Sequence, residues 1–111
     1  MTSPHGVSLH RWADIPEERL TDSLSRRMVT GQRIMVAHVY LKTGCVIPWH
    51  HHDNEQLSYV LSGALSFRVG EEDAPAILVR TGEILMIPPG VPHGALALEE
   101  TLSVDLFDPP R

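Results

Sequence analysis

From Gln32 onward the chain is a succession of short apolar-rich runs, several of them alternating between apolar and polar residues, most of them ended by a glycine or a proline cluster. Runs at 32–42, 56–62, 64–69, 76–80, 83–87, 94–98 and 101–107 are separated by Gly44, Gly63, Gly70, Gly82 and Pro88-Pro89-Gly90. Alternation with a period of two is the mark of a half-buried strand, and turn residues recurring at intervals of roughly 8–12 residues are the mark of an all-β domain. No interval is long enough for the crossover helices that a parallel sheet requires. The pattern therefore predicts antiparallel strands folded into a sandwich or barrel, with the polar loop Gly70-Glu71-Glu72-Asp73-Ala74-Pro75 as an exposed tip.

The first 30 residues follow a different pattern. Trp12, Ile15, Leu20, Leu24 and Met28 are spread among polar residues, which predicts an N-terminal arm with edge strands. Pro16, just ahead of Glu17-Glu18-Arg19, allows one short helical turn there. The whole chain, 1–111, is expected to form a single domain, with 32–107 as its barrel.

Composition narrows the function classes. The net charge of −5, with nine basic residues scattered along the chain, gives no electrostatic footprint for nucleic acid or an anionic membrane, so neither is expected as a partner. A lone cysteine, Cys45, cannot form an internal disulfide, and neither a spanning apolar stretch nor a signal-peptide pattern opens the chain, so a reducing cytoplasm is the expected location. Cys45 lies on the opposite parity from the nearby histidines and is read as packing. Apolar residues on both faces of one strand, Leu57, Tyr59 and Leu61 opposite Val60, leave a surplus face that a homodimer would cover.

The candidate chemistry lies in Gly44-Cys45-Val46-Ile47-Pro48-Trp49-His50-His51-His52-Asp53-Asn54-Glu55-Gln56. In extended backbone His50, His52 and Gln56 share one face, and His51, Asp53 and Glu55 the other. The even-numbered set is thus expected to hold a metal, with His51 at the rim. A fourth candidate, His93, follows a second Pro/Gly turn, so that two β segments would meet around one ion. His38 shares parity with Ile34, Val36 and Tyr40 and is read either as a donor behind the cavity or as a core histidine; His5 and His10 carry no signal.

These two blocks resemble the paired motifs of the cupin superfamily. Gly44, His50, His52 and Gly63 match the first motif, with Gln56 where a glutamate usually stands; Gly82, Pro88, Gly90 and His93 match the second, with Ala97 in place of asparagine. The resemblance implies a jelly-roll β-barrel of the small single-domain kind. It also implies that His50, His52, Gln56 and His93 hold one divalent transition metal (Ni, Zn, Mn or Fe) inside it. Four neutral ligands leave the full 2+ charge on such an ion, which favours an anionic oxygen ligand and Lewis-acid chemistry over high-valent iron.

The end of the chain, Asp105-Leu106-Phe107-Asp108-Pro109-Pro110-Arg111, places Asp105 and Phe107 on one face. They are read either as an Asp105–arginine pair and a core ring that fasten the last strand, or as functional groups inside the barrel. The ending and the unusual Gln56 are similar to those of the KdgF-like pectin-degradation cupins, which linearise unsaturated uronic acids. That resemblance implies catalytic roles for Asp105, Arg111 and Phe107, and a small carboxylate substrate. The expected function is a metal-dependent lyase or isomerase; the alternatives are an Fe(II)-dependent dioxygenase and a metal-bearing binding protein without turnover.

Overall fold

A computed structural model describes residues 5–111, and ten antiparallel strands account for most of them. They are β1 (Glu18–Thr21), β2 (Leu24–Thr30), β3 (Met35–Leu41), β4 (Val46–His50), β5 (Glu55–Ser62), β6 (Ala64–Val69), β7 (Ile77–Arg80), β8 (Ile84–Ile87), β9 (His93–Ala97) and β10 (Thr101–Asp108). Two sheets form from them, one ordered β1-β2-β3-β10-β5-β8 and the other β4-β9-β6-β7. The strand expectations hold to within a few residues from β3 onward. β4 is the strand that the sequence pattern leaves out, because Pro48 interrupts it; it is an edge strand, where a residue without an N–H is tolerated.

Near the N-terminus the expected helical turn is displaced. The residues after Pro16 enter β1, and a single 3₁₀ turn forms earlier, at Trp12–Asp14. A partner explains the position: the Trp12 ring stacks on His38 at 3.7 Å, while Arg27 donates from Nε to the Ile15 carbonyl at 2.8 Å and from its guanidinium to the Tyr40 hydroxyl at 2.9 Å. His38 thus lies on the outer face of β3 beneath Trp12, and neither reading made from its parity was right. Burial and the neighbouring Arg27 both lower its pKa.

Alternation sorts every central strand. Met35, Ala37 and Leu41 of β3 point between the sheets, as do Gln56, Ser58 and Val60 of β5. The core between the sheets includes Leu41, Cys45, Val60, Leu65, Phe67, Val79, Ile87 and Ala97, so Cys45 is a packing residue. Outside, Leu57 and Tyr59 pair with the exposed Met86 and Ile84 of β8, and with Leu106 and Val104 of β10, in one apolar stripe.

The turn from β5 to β6, where the chain crosses between sheets, depends on Gly63. Its φ is +107°, and a Cβ there would lie 2.4 Å from Thr101 Oγ1 and 2.5 Å from the Glu100 carbonyl oxygen. Thr101 cannot move aside freely, since its hydroxyl bonds the Ala64 amide at 3.2 Å and the Glu99 carbonyl at 2.9 Å. Gly63→Ala is therefore expected to destabilise the protein by about 3 kcal/mol or more, combining backbone strain with overpacking. A urea unfolding midpoint near that of the unsubstituted protein would disprove this.

Candidate metal centre

Both sheets supply the site. A register irregularity between Ile47 and His50 sets His50, the last residue of β4, opposite His93, the first of β9. His52 follows in the β4–β5 loop, and Gln56 sits near the start of β5 in the other sheet. The ring centroids form a triangle: His50–His93 4.4 Å, His52–His93 5.1 Å and His50–His52 5.4 Å. The histidine nitrogens that face one another all lie within 4.8 Å. Nitrogens bound to one ion at about 2.1 Å lie at most about 4.2 Å apart, so only a small contraction is needed.

Local backbone fixes how the rings present themselves. His50 Nδ1 lies 2.7 Å from the Pro48 carbonyl, His52 Nδ1 3.2 Å from that of Asn54 and His93 Nδ1 3.0 Å from that of Val91. A carbonyl only accepts, so Nδ1 of His50 and of His93 carries the proton and Nε2 presents a lone pair, as a ligating imidazole must; His52 faces an oxygen at both nitrogens, and its Nε2 presents a lone pair in the tautomer protonated at Nδ1. Burial, first of all, lowers the pKa values of His52 and His93, with Arg111 and the other histidines adding to the effect; neutral rings are favoured. His93 Nε2 is buried with no hydrogen-bond partner among the described residues. A buried nitrogen left unpaired is costly, and a cation among three such lone pairs resolves it. The residues fit a divalent transition metal, in agreement with imidazole chemistry, which does not itself select among such metals.

Gln56, 6% exposed, places Oε1 3.1 Å from His52 Nε2 and donates its amide N–H to Ser58 Oγ at 2.9 Å. His51, Asp53 and Glu55 are exposed, as their parity requires.

A cavity of about 160 Å³ adjoins the histidines. Asp105, Phe107 and Arg111 line it together with His50, Gln56 and His93. The Phe107 ring lies 5.9 Å from that of His52, and the Arg111 guanidinium 5.9 Å from Phe107. Asn54 Nδ2 bonds the carbonyls of Pro109 and Pro110, turning the tail back toward the cavity. Asp105 has no arginine ion pair among the described residues; Ser103 donates to its Oδ1 at 2.8 Å and Ser58 bonds it as well. Burial drives its pKa up from 3.8 to about 6, the two serine bonds opposing the rise.

Three residues of this cavity escaped the sequence reading. Ser58 and Ser103 share inward parity with Gln56 and Asp105, a signal that was present. Arg26 could not be found that way, because its strand β2 was read as part of the arm; its Nε is buried without a partner among the described residues. A larger cleft of about 410 Å³ runs along β1, β2 and β10, but its lining mixes both charge signs and contains none of the clustered histidines.

The raised Asp105 pKa has a sign that can be checked in metal-free protein. Between about pH 4 and 6 the unfolded chain has released this proton and the folded chain still holds it, so folding stability falls as pH rises across that window and levels off above it. The lowered imidazoles act in the opposite sense, but Asp105→Asn shares them. The melting temperature of Asp105→Asn relative to the unsubstituted protein is therefore expected to rise from pH 4 to 6. A pH-independent difference would contradict the shift.

The family description "Cupin domain" matches residues 37–108. The chain is a cupin. No curated protein matches this cupin by sequence. Its fold is similar to KdgF from Halomonas sp., at 25% identity and a TM-score of 0.86, over 95% of this chain and 96% of that one. An RmlC-like cupin from Shewanella frigidimarina NCIMB 400 gives 25% identity and 0.83 over 92% and 90%. Oxalate decarboxylase of Bacillus subtilis is 21% identical with a TM-score of 0.76; there this cupin covers 28% of the longer chain, a likeness of fold alone. Among the described residues no helix is long and apolar enough to cross a membrane.

Proposed function

We propose that this cupin is a metal-dependent isomerase that opens and ketonises unsaturated uronic acids, with His50, His52, Gln56 and His93 as the ligands. The observation that carries the reading is the convergence of Asp105, Phe107 and Arg111 on the cavity beside the histidine cluster. The likeness to KdgF along nearly the whole chain supports it. A cavity of about 160 Å³ suits one small acid and is too small for a polymer chain.

Arg111 binds the substrate carboxylate, and Phe107 holds the guanidinium against its face. Asp105, with a pKa near neutrality, accepts the proton of the anomeric hydroxyl. The ring C–O bond then breaks, its electron pair staying on the ring oxygen, which leaves an aldehyde at one carbon and an enolate at the other. Ketonisation is the transfer of the proton held by Asp105 to the enolate carbon, so Asp105 is regenerated as a carboxylate and the product is an isomer of the substrate with no change of oxidation state. A bound divalent metal supplies Lewis acidity toward the substrate oxygens. The apolar outer stripe formed by Leu57, Tyr59, Ile84 and Met86 is the face that a homodimer would cover, and the cytoplasm is the proposed location.

The test follows the ultraviolet absorbance of the conjugated double bond in an unsaturated uronate mixed with metal-loaded protein. Loss of absorbance without oxygen consumption supports the isomerase. Oxygen-dependent turnover would replace it with a dioxygenase, and metal binding without turnover with a ligand-binding protein.

A further inference from the structure

Ser58 is 1% exposed, points between the sheets, and lies directly opposite Asp105 across the β5–β10 pairing. Its hydroxyl has one proton and two neighbours. The Asp105 carboxyl faces it across the β5–β10 pairing, and as a carboxylate it can only accept, so the Ser58 O–H is donated there. The Gln56 amide lies on the other side at 2.9 Å, and the atom facing Ser58 must then be a donor, its NH₂ group. The carbonyl oxygen of that amide is thereby left pointing at His52 Nε2, at 3.1 Å. In the tautomer in which His52 Nδ1 donates to the Asn54 carbonyl, the one a ligating imidazole needs here, Nε2 is an acceptor as well. In that tautomer two acceptors face each other, an arrangement that a cation held by both would relieve.

We infer that Ser58 is a positioning residue: it takes its polarity from Asp105 and turns the Gln56 amide so that oxygen, not nitrogen, faces the metal centre. An amide presented the other way round offers no lone pair, and the site loses a ligand. The pairing also gives a reason for glutamine at this position. A glutamate at 56 would place a second carboxylate against the one Ser58 proton, in competition with Asp105. Gln56 and Asp105 are thus a matched donor and acceptor on the two sides of one hydroxyl, and Ser103, donating to Asp105 Oδ1, holds the far end.

The inference rests on Gln56 being a ligand, and the experiment separates the two. Zn(II) affinity is measured by competition with a chromophoric chelator for four proteins: unsubstituted, Ser58→Ala, Gln56→Glu, and the double variant. Losing an outer partner of a ligand lowers affinity by roughly 10- to 100-fold, and that loss is expected for Ser58→Ala when residue 56 is glutamine. In the Gln56→Glu background the same change is expected to cost little, since a carboxylate has two equivalent oxygens and cannot be turned the wrong way. Equal loss in both backgrounds, or none in either, overturns the positioning role while leaving Gln56 as a ligand. Absence of Zn(II) binding by the unsubstituted protein overturns both. Should Ser58→Ala fail to fold, Ser58→Cys, close in size and a weak acceptor, is read by the same comparison.

Discussion

Purified without a polyhistidine tag, the protein is expected to contain about one divalent transition metal per chain, and His93→Ala to contain none. His93 is 2% exposed, the one fully buried residue of the three histidines, and its Nε2 is enclosed with no hydrogen-bond partner among the described residues. Water cannot easily replace it as a ligand, because the space vacated by the ring is bounded by the core. The loss should also appear in stability. A ligand at 100 times its dissociation constant stabilises the folded state by about 2.7 kcal/mol. Added metal should therefore raise the melting temperature of the unsubstituted protein and leave that of His93→Ala unchanged. Elemental analysis with melting curves in chelated and metal-supplemented buffer decides the matter; full metal content in His93→Ala would remove this residue from the ligand set.

The second large effect concerns turnover. Asp105→Asn keeps the shape of the side chain and, through its amide oxygen, the ability to accept from Ser103, yet cannot take up a proton. General acid–base catalysis contributes roughly two to four powers of ten, and a loss of that size in kcat is expected at unchanged metal content. Full activity in the variant would show that Asp105 only fastens β10. Lost activity together with lost metal would indicate that the variant acts through the Gln56 side of the site, and would not support proton transfer.

How far the site could be read from sequence depended on parity. His50, His52 and Gln56 alternate with His51, Asp53 and Glu55 even where the chain leaves β4 for the loop, so counting by twos separated the inward set from the exposed one. The same count brought Asp105 and Phe107 to the cavity. It failed where the strand was not recognised. Pro48 concealed β4, and the scattered apolar residues of the arm concealed β2, which carries Arg26 inward because it pairs with Val39. His38 shows another limit: alternation gives two faces but does not say which is covered, and only the docking of Trp12, far away in sequence, decides the environment of the outer one. The serines were overlooked for a chemical reason. A small hydroxyl on an inward position looks like filler until the groups across the sheet are known.

The histidine cluster draws on β4 and β9 of one sheet, and Gln56 belongs to the other. An ion bound by all of them is therefore a cross-link as well as a reagent. It ties points of the chain about 40 residues apart, and for a covalent bridge of that span the chain-entropy estimate is about 4 kcal/mol, an upper limit for coordinate bonds. Metal supply would then set how long the protein lasts: starved of metal, the sandwich is unpinned at the end where its sheets meet, and the metal-free protein becomes the form most readily cleared by proteolysis.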